Sequence, residues 1–372
     1  MIYLDYAANT PVEEEVLSSF VDATRKYIAN PNSSHPLGIE AKNAIDEVSK
    51  KLGEYFNCSS EGIIYTSGSS ESNNLVIKGI AETRKNLGNK IIISEVEHSS
   101  VIAPCNYLAS LGYDVSIISL KEDGLVDLDE LRREIDDKTI LVSICSVDSE
   151  LGTVQPINEI ANIVKDYPNC VFHTDATQAI GKTDIDYSNT DFVTFAPHKF
   201  FGLNGFGVLV NRNNIKISPL IHGGKSTTIF RSGTPVTANV IALYKAFELA
   251  VNNLDSRNIY IKKLNDYLRS ELSSLSCVHI NSPLNAISNT LNFSLVNVNR
   301  EEVINKLYDK GICLSTTTAC SMKGVPSKSV MAITKDENLA SNSIRVSLSY
   351  MTKEEDVKKF ISTFKNIIEE IL

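Results

Sequence analysis

Along the first two thirds of the chain, short continuous apolar runs alternate with stretches whose apolar residues recur at helical spacing. Runs at 62–66, 90–94, 115–118, 140–144, 171–174 and 192–195 are short and rich in β-branched residues. That is the pattern of strands covered on both faces. Between them, 41–56 puts Ile45, Val48, Leu52, Tyr55 and Phe56 on one stripe. Residues 156–167 repeat this with Ile157, Ile160, Ile163 and Val164, behind a proline suited to a first helical turn. Strand alternating with helix predicts a mostly parallel α/β sheet.

The pattern changes after about Pro235. Helical spacing runs from 236 towards 275, too far for one uninterrupted helix, with a break expected at Asn252-Asn253 or Ser256. The tail then reads as strand (289–295), helix (300–308), two strands (312–315 and 343–349) and a last helix (352–371). These elements predict a second, smaller α/β domain. The expected division is a large domain over 13–255 and a small one formed by 1–12 with 256–372.

Composition narrows the setting. A chain of 372 residues can bury a core without metal or disulfide staples. The net charge of −9 argues against a nucleic-acid partner, since binding there depends on cationic neutralisation of phosphates. No apolar run is long enough to predict a membrane span. The seven cysteines form no CxxC pair and the chain opens MIYLDYAANTP, without the pattern of a signal peptide. Free thiols in a reducing cytoplasm are the expectation, with Cys145, Cys170 and Cys313 read as core packing. The histidines show no HExxH or Cys/His ligand spacing, so no metal site is expected. Nor is there a GxxxxGK[ST] or a GxGxxG after a strand.

Polar residues gather instead at the carboxyl ends of the expected strands, where open α/β sheets bind ligands. Thr66-Ser-Gly-Ser-Ser-Glu71 ends one strand and opens a helix, so it can hold a phosphate or act as a plain cap. Glu97-His98 follows the next strand, and a lone histidine there is also an ordinary turn residue. Asp175 ends the 171–174 run and Lys199 follows the 192–195 run. Singly these read as a helix cap and a surface lysine. Together they form the kit for pyridoxal phosphate: a lysine for the Schiff base and an aspartate for the pyridinium nitrogen.

The chain resembles the cysteine desulfurases of the NifS/IscS type, in the class V aminotransferase group of fold type I pyridoxal phosphate enzymes. The motifs that carry the resemblance run in order along nearly the whole chain: Tyr3-Leu-Asp-Tyr-Ala-Ala-Asn-Thr-Pro11, Asn30-Pro-Asn-Ser-Ser-His35, Thr66-Ser-Gly-Ser-Ser-Glu-Ser-Asn-Asn74 and Glu97-His98. They continue with His173-Thr-Asp-Ala-Thr-Gln178, His198-Lys199, Phe230-Arg-Ser-Gly-Thr234, Thr318-Ala-Cys-Ser321 and Ser343-Ile-Arg-Val-Ser347. The resemblance implies a fold of type I, with a mostly parallel large domain and a smaller α/β C-terminal domain. It implies Lys199 as Schiff-base lysine, Asp175 as pyridinium partner, His98 stacked on the ring and moving protons, and Gln178 at the phenolic oxygen. Ser69, Ser70, His198 and, across a homodimer, Thr234 would hold the phosphate. Arg345 would clamp the carboxylate of L-cysteine, with Asn30 also on the substrate side. Cys320 would take the sulfur as a persulfide, release alanine, and pass the sulfur to an acceptor protein such as a cluster scaffold or thiolation enzyme.

Three positions depart from that family's pattern. Ser149 stands where an asparagine is usual, and its shorter side chain offers a single donor. Ala196 replaces a phosphate-binding serine, and Lys225-Ser226-Thr227 replaces a Gln/His-Glu stretch. Two other readings stay open on the sequence: a related pyridoxal phosphate lyase, epimerase or aminotransferase in which Cys320 is incidental, and a catalytically weak sulfur-transfer scaffold.

Overall fold

The computed structural model describes residues 1–224, 228–316 and 325–372. Its main sheet has seven strands, in spatial order Ile63–Thr66, Gly207–Asn211, Phe192–Phe195, Val171–Asp175, Thr139–Ser143, Lys90–Ser94 and Asp114–Ile118. The last five are mutually parallel, and Gly207–Asn211 runs antiparallel to both of its neighbours. All six expected runs are strands. Five of them are buried along their whole length, as continuous apolar runs require, and Asp114–Ile118 at the sheet edge is the half-exposed one.

Gly207–Asn211 is a strand that the apolar pattern did not single out, because it lies inside a glycine-rich stretch. Its glycine has a packing reason. A Cβ on Gly207 would lie 2.6 Å from the Gly68 backbone, so only glycine lets this strand pass behind the Thr66–Ser70 turn.

The expected break in the long helical stretch falls at Asn253, between helices Thr237–Asn252 and Leu254–Ser273. The Asn253 side chain donates to the Leu249 carbonyl (2.8 Å), taking an acceptor that a continuing helix would use. Beyond it, Ser343–Ser347, Thr290–Leu295 and Val278–Ile280 form an antiparallel three-stranded sheet. Helices Leu254–Ser273, Arg300–Asp309 and Glu354–Ile371 pack against it through Leu264, Leu268, Val303, Phe360 and Phe364. Phe293 meets Phe364 edge to face at 5.7 Å. The expected strand at 312–315 is shorter. Only Ile312–Cys313 pairs in parallel with Ile2–Tyr3, while Ser315 turns away to bridge Arg345. The first strand thus joins the C-terminal part of the chain, and Leu4 packs in its core. Short helices Lys328–Thr334 and Glu337–Ser341 were not foreseen.

Candidate active site

At the carboxyl ends of the parallel strands lies a cavity of about 400 Å³. Ser69, Ser70, His98, Ser149, Asp175, Gln178, His198, Lys199 and Arg345 all line it. Residues from six separate stretches of sequence are therefore brought to one place. Two expected site residues are not in that lining. Thr234 lines a neighbouring hollow with Thr66, Ser67 and Arg231. Asn30 is exposed, its Oδ1 accepting from the Asn32 N–H (2.9 Å). Cys320 and Lys225-Ser226-Thr227 lie outside the described residues.

Asp175 is the last residue of its strand and is held on both oxygens. Oδ1 accepts from the Thr177 N–H (2.9 Å) and Oδ2 from Asn73 Nδ2 (2.7 Å). Asn73 Nδ2 also donates to Ser100 Oγ (2.9 Å), which sits 2.8 Å from His98 Nδ1. His98 caps the helix Ser99–Ser110, with Nδ1 accepting from the Ser100 N–H (3.1 Å). A ring nitrogen that accepts from a backbone N–H carries no proton, so neutral His98 carries its proton on Nε2. Burial lowers the pKa of His98, with Lys199 adding to the effect and Asp175 opposing it.

Lys199 ends the short 3₁₀ turn Pro197–Lys199 after the Phe192–Phe195 strand. Its Nζ donates to the carbonyls of Ala7 (3.0 Å) and Ala8. The N-terminal motif braces this turn further: Thr10 Oγ1 donates to the His198 carbonyl (3.0 Å) and accepts from the Phe201 N–H (2.8 Å). Phe201 has φ +67°, a left-handed conformation that costs about 1–3 kcal/mol for a bulky residue and persists only where neighbours over-determine it. Here Tyr350 at 4.6 Å and Tyr6 at 6.3 Å grip its ring. Burial pushes His198 down to about 4, with Lys199 and Lys182 adding to the effect, so its imidazole is neutral.

The N-terminus of the helix Ser69–Arg84, an end whose dipole favours anions, borders the cavity through Ser69 and Ser70. Ser69 Oγ meets Thr177 Oγ1 at 2.7 Å, tying this turn to the end of the Asp175 strand. Glu71 accepts from the Ser67 N–H (2.8 Å) and from Arg231 Nε (2.9 Å), which fixes the 230–234 motif beside the same turn. Ala196 is fully buried and brings no hydroxyl to the site.

Arg345 enters from the small sheet and is 2 % exposed at its side chain. Nη1 donates to the Ser149 carbonyl (2.8 Å) and Nη2 to Asp5 Oδ1 (2.9 Å), while Nε has no partner among the described residues. Ser149 is positioned by its neighbours. Asp148 accepts from Ser329 Oγ (2.8 Å) and Glu150 from Ser327 Oγ, both on the first turn of Lys328–Thr334 or its cap.

Several participants carried no assigned role in the sequence. Asn73 links Asp175 to His98 from a helix interior and was legible only as part of a motif. Cys145, expected as core, is buried and also lines the cavity, and burial pushes its thiol well up. Glu97 accepts from Ser94 Oγ (2.6 Å) and the Cys145 N–H (2.8 Å), and burial pushes it to about 8. Lys182 is buried against Gln178. A single lysine, glutamate or cysteine carries no spacing signal that would have found these.

The cavity thus combines an amine, a pinned carboxylate, a neutral imidazole, a helix N-terminus and a guanidinium. Comparison with known proteins agrees with that inventory. The model of the aminotransferase class-V family matches residues 2–360. The cysteine desulfurase IscS of Dictyoglomus turgidum is 37% identical over 375 residues, covering 100% of this chain and 95% of that protein. The cysteine desulfurase IscS of Methanosarcina thermophila is 35% identical, with 100% and 92% covered. Among solved structures, a NifS-like protein superposes with a TM-score of 0.92 at 33% identity, covering 99% of both chains. A structure of SspA in complex with cysteine gives 0.82 at 33% identity, over 94% of this chain and 99% of that one. The α/β fold with its mostly parallel sheet is that of the fold type I pyridoxal phosphate enzymes. The chain belongs to the aminotransferase class-V family.

Proposed function

We propose that the protein is a pyridoxal phosphate-dependent cysteine desulfurase: it converts L-cysteine to L-alanine and transfers the sulfur to Cys320. The observation that carries this is the convergence of Lys199, Asp175, His98 and Arg345 on one cavity. The donor set fits the cofactor. Lys199 supplies the amine for its aldehyde, Asp175 the carboxylate for its ring nitrogen, and Gln178 an amide for its phenolic oxygen. Ser69, Ser70 and His198 stand ready for its phosphate at a helix N-terminus. When bound, this cofactor supplies an electron sink for carbanions at the amino-acid carbons.

The chain's own residues do the rest. Arg345 takes the substrate carboxylate in a charge-assisted pair, and Ser149 lies beside it. Asp175, pinned by Asn73 and Thr177, stays an acceptor for a ring N–H. Burial favours neutral His98, which carries its proton on Nε2 and presents that N–H as the proton-bearing group of the site. Cys320, as thiolate, attacks the substrate sulfur. The Cβ–S bond breaks, an S–S bond forms on Cys320, and Cβ takes a proton, so cysteine plus thiol gives alanine plus persulfide. The persulfide then passes to an acceptor protein, such as an iron–sulfur cluster scaffold or a thiolation enzyme.

Thr234, placed outside this cavity, serves the cavity of a second subunit in this reading, which makes the working unit a homodimer. The division into 13–255 and 1–12 with 256–372 is supported by one hydrophobic core that gathers Leu4 with residues between 261 and 368, while Ile287 and Ala332 pack with clusters of the larger part. No helix among the described residues is long and apolar enough to cross a membrane, and a cytoplasmic location goes with this reading. The test is to incubate the protein with pyridoxal phosphate and L-cysteine, then measure alanine and the mass of Cys320. One equivalent of persulfide on Cys320 and steady alanine production are expected. Full alanine production by Cys320→Ser with a thiol acceptor present would overturn the mechanism.

A further inference from the structure

Lys182 is a buried lysine without a carboxylate partner among the described residues, and the charges that bear on it are Lys199 and Arg345, both of its own sign. His198 is the nearby titratable group that feels both lysines. An apolar side chain would fill the same space without these costs. The backbone aims the residue deliberately. Gly181 has φ +74°, and a Cβ there would lie 2.8 Å from Ala250 Cβ, so the turn that carries Lys182 is fixed.

Its amine donates from Nζ to Gln178 Oε1. The other end of that amide, Nε2, donates to the Ala7 carbonyl (2.9 Å), and the same carbonyl accepts from Lys199 Nζ (3.0 Å). A primary amide has two ends of nearly equal shape and opposite hydrogen-bonding sense, and its partners decide which end faces a ligand. A carbonyl partner on one side and an amine donor on the other both demand the same orientation. That orientation leaves the second Nε2 hydrogen for an acceptor in the cavity.

The geometry points to Lys182 as a positioning residue for the cofactor: it locks the Gln178 amide so that Nε2 donates to the ionised phenolic oxygen, and through the shared Ala7 carbonyl it sets Gln178 in register with Lys199. This rests on the reading of the site as a pyridoxal phosphate site.

The test uses the loaded enzyme. Borohydride reduction followed by peptide mass locates the cofactor, and absorbance against pH gives the midpoint of the bound cofactor's titration. In Lys182→Met the cofactor should remain on Lys199. The midpoint should rise by about half a pH unit or more, the worth of one hydrogen bond to the ionised oxygen, and cofactor release should speed several-fold. Lys182→Gln, which restores a donor one bond shorter, should recover part of the shift. In a Gln178→Leu background, Lys182→Met should add nothing, because the two act as one unit. If Lys182→Met does not fold, Lys182→Gln in the same background carries the cycle. An unchanged midpoint and release rate with the cofactor still on Lys199 would overturn the role of Lys182 alone. Absence of any cofactor on Lys199 in the wild-type enzyme overturns the site reading, and this inference with it.

Discussion

Replacing Asp5 by asparagine tests how Arg345 is kept ready for a carboxylate. The guanidinium is 2 % exposed and Asp5 20 %, joined at 2.9 Å, and Arg345 has the Ser149 carbonyl as its other partner. Removing one member of a buried ion pair costs about 3–5 kcal/mol, because the surviving charge is left unbalanced. Asparagine keeps an acceptor oxygen in place and the site is partly wet, which brings the expected loss to about 2–3 kcal/mol. In urea, with a slope of about 2–3 kcal/mol per molar, the midpoint should fall by about 1 M. A second effect has the opposite sign. With the internal carboxylate gone, an amino-acid carboxylate meets a less neutralised arginine, so saturating L-alanine should stabilise Asp5→Asn more than it stabilises the wild type. Equal stability of the two proteins, or an equal response to alanine, would show that the Asp5 pair does not balance Arg345.

Other consequences follow from the same geometry. Glu97 has its pKa raised to about 8 by burial, so the folded state holds a proton that the unfolded chain releases above its ordinary value near 4.5. Its stabilising contribution is full below that value and fades as pH rises to 8, by about 1.4 kcal/mol per pH unit; urea midpoints of Glu97→Gln should lack that slope. Asn73→Ala leaves Asp175 Oδ2 without its donor, and cofactor affinity, followed by absorbance titration, should fall about tenfold. Gly207→Ala forces a Cβ against the Gly68 backbone and should cost about 1–3 kcal/mol in unfolding while loosening the cofactor phosphate. Ser329→Ala removes the donor to Asp148 Oδ2, leaving Oδ1 on the Glu150 and Leu151 N–H groups, and should cost about 1–2 kcal/mol, read as a lower urea midpoint with the fold intact.

The sheet was legible wherever burial on both faces left an unbroken apolar run, as at Val171–Asp175 and Phe192–Phe195. Gly207–Asn211 was not, since its reason for being glycine is the Gly68 backbone across the sheet, which local pattern cannot show. The break at Asn253 was visible because asparagine pairs with its own backbone. At the site, Asp175 and Lys199 stood out through their shared position at strand ends. Lys182, Glu97 and Cys145 did not, because each is defined by a partner distant in sequence or by burial itself. Thr234 was legible as a motif, yet its place outside the cavity depends on how the 230–234 segment folds against the Thr66–Ser70 turn.

The pairing of Ile2–Tyr3 with Ile312–Cys313 has a consequence for synthesis. Asp5, Ala7 and Ala8, which hold Arg345 and Lys199, belong to a segment anchored by the far end of the chain. At about 5–20 residues per second, some 310 residues separate the two strands by roughly 15–60 s on the ribosome. During that interval the lysine turn exists without its carbonyl braces. A nascent chain therefore acquires a competent cofactor pocket only after Ile312–Cys313 has been made, whatever the folding state of its central sheet.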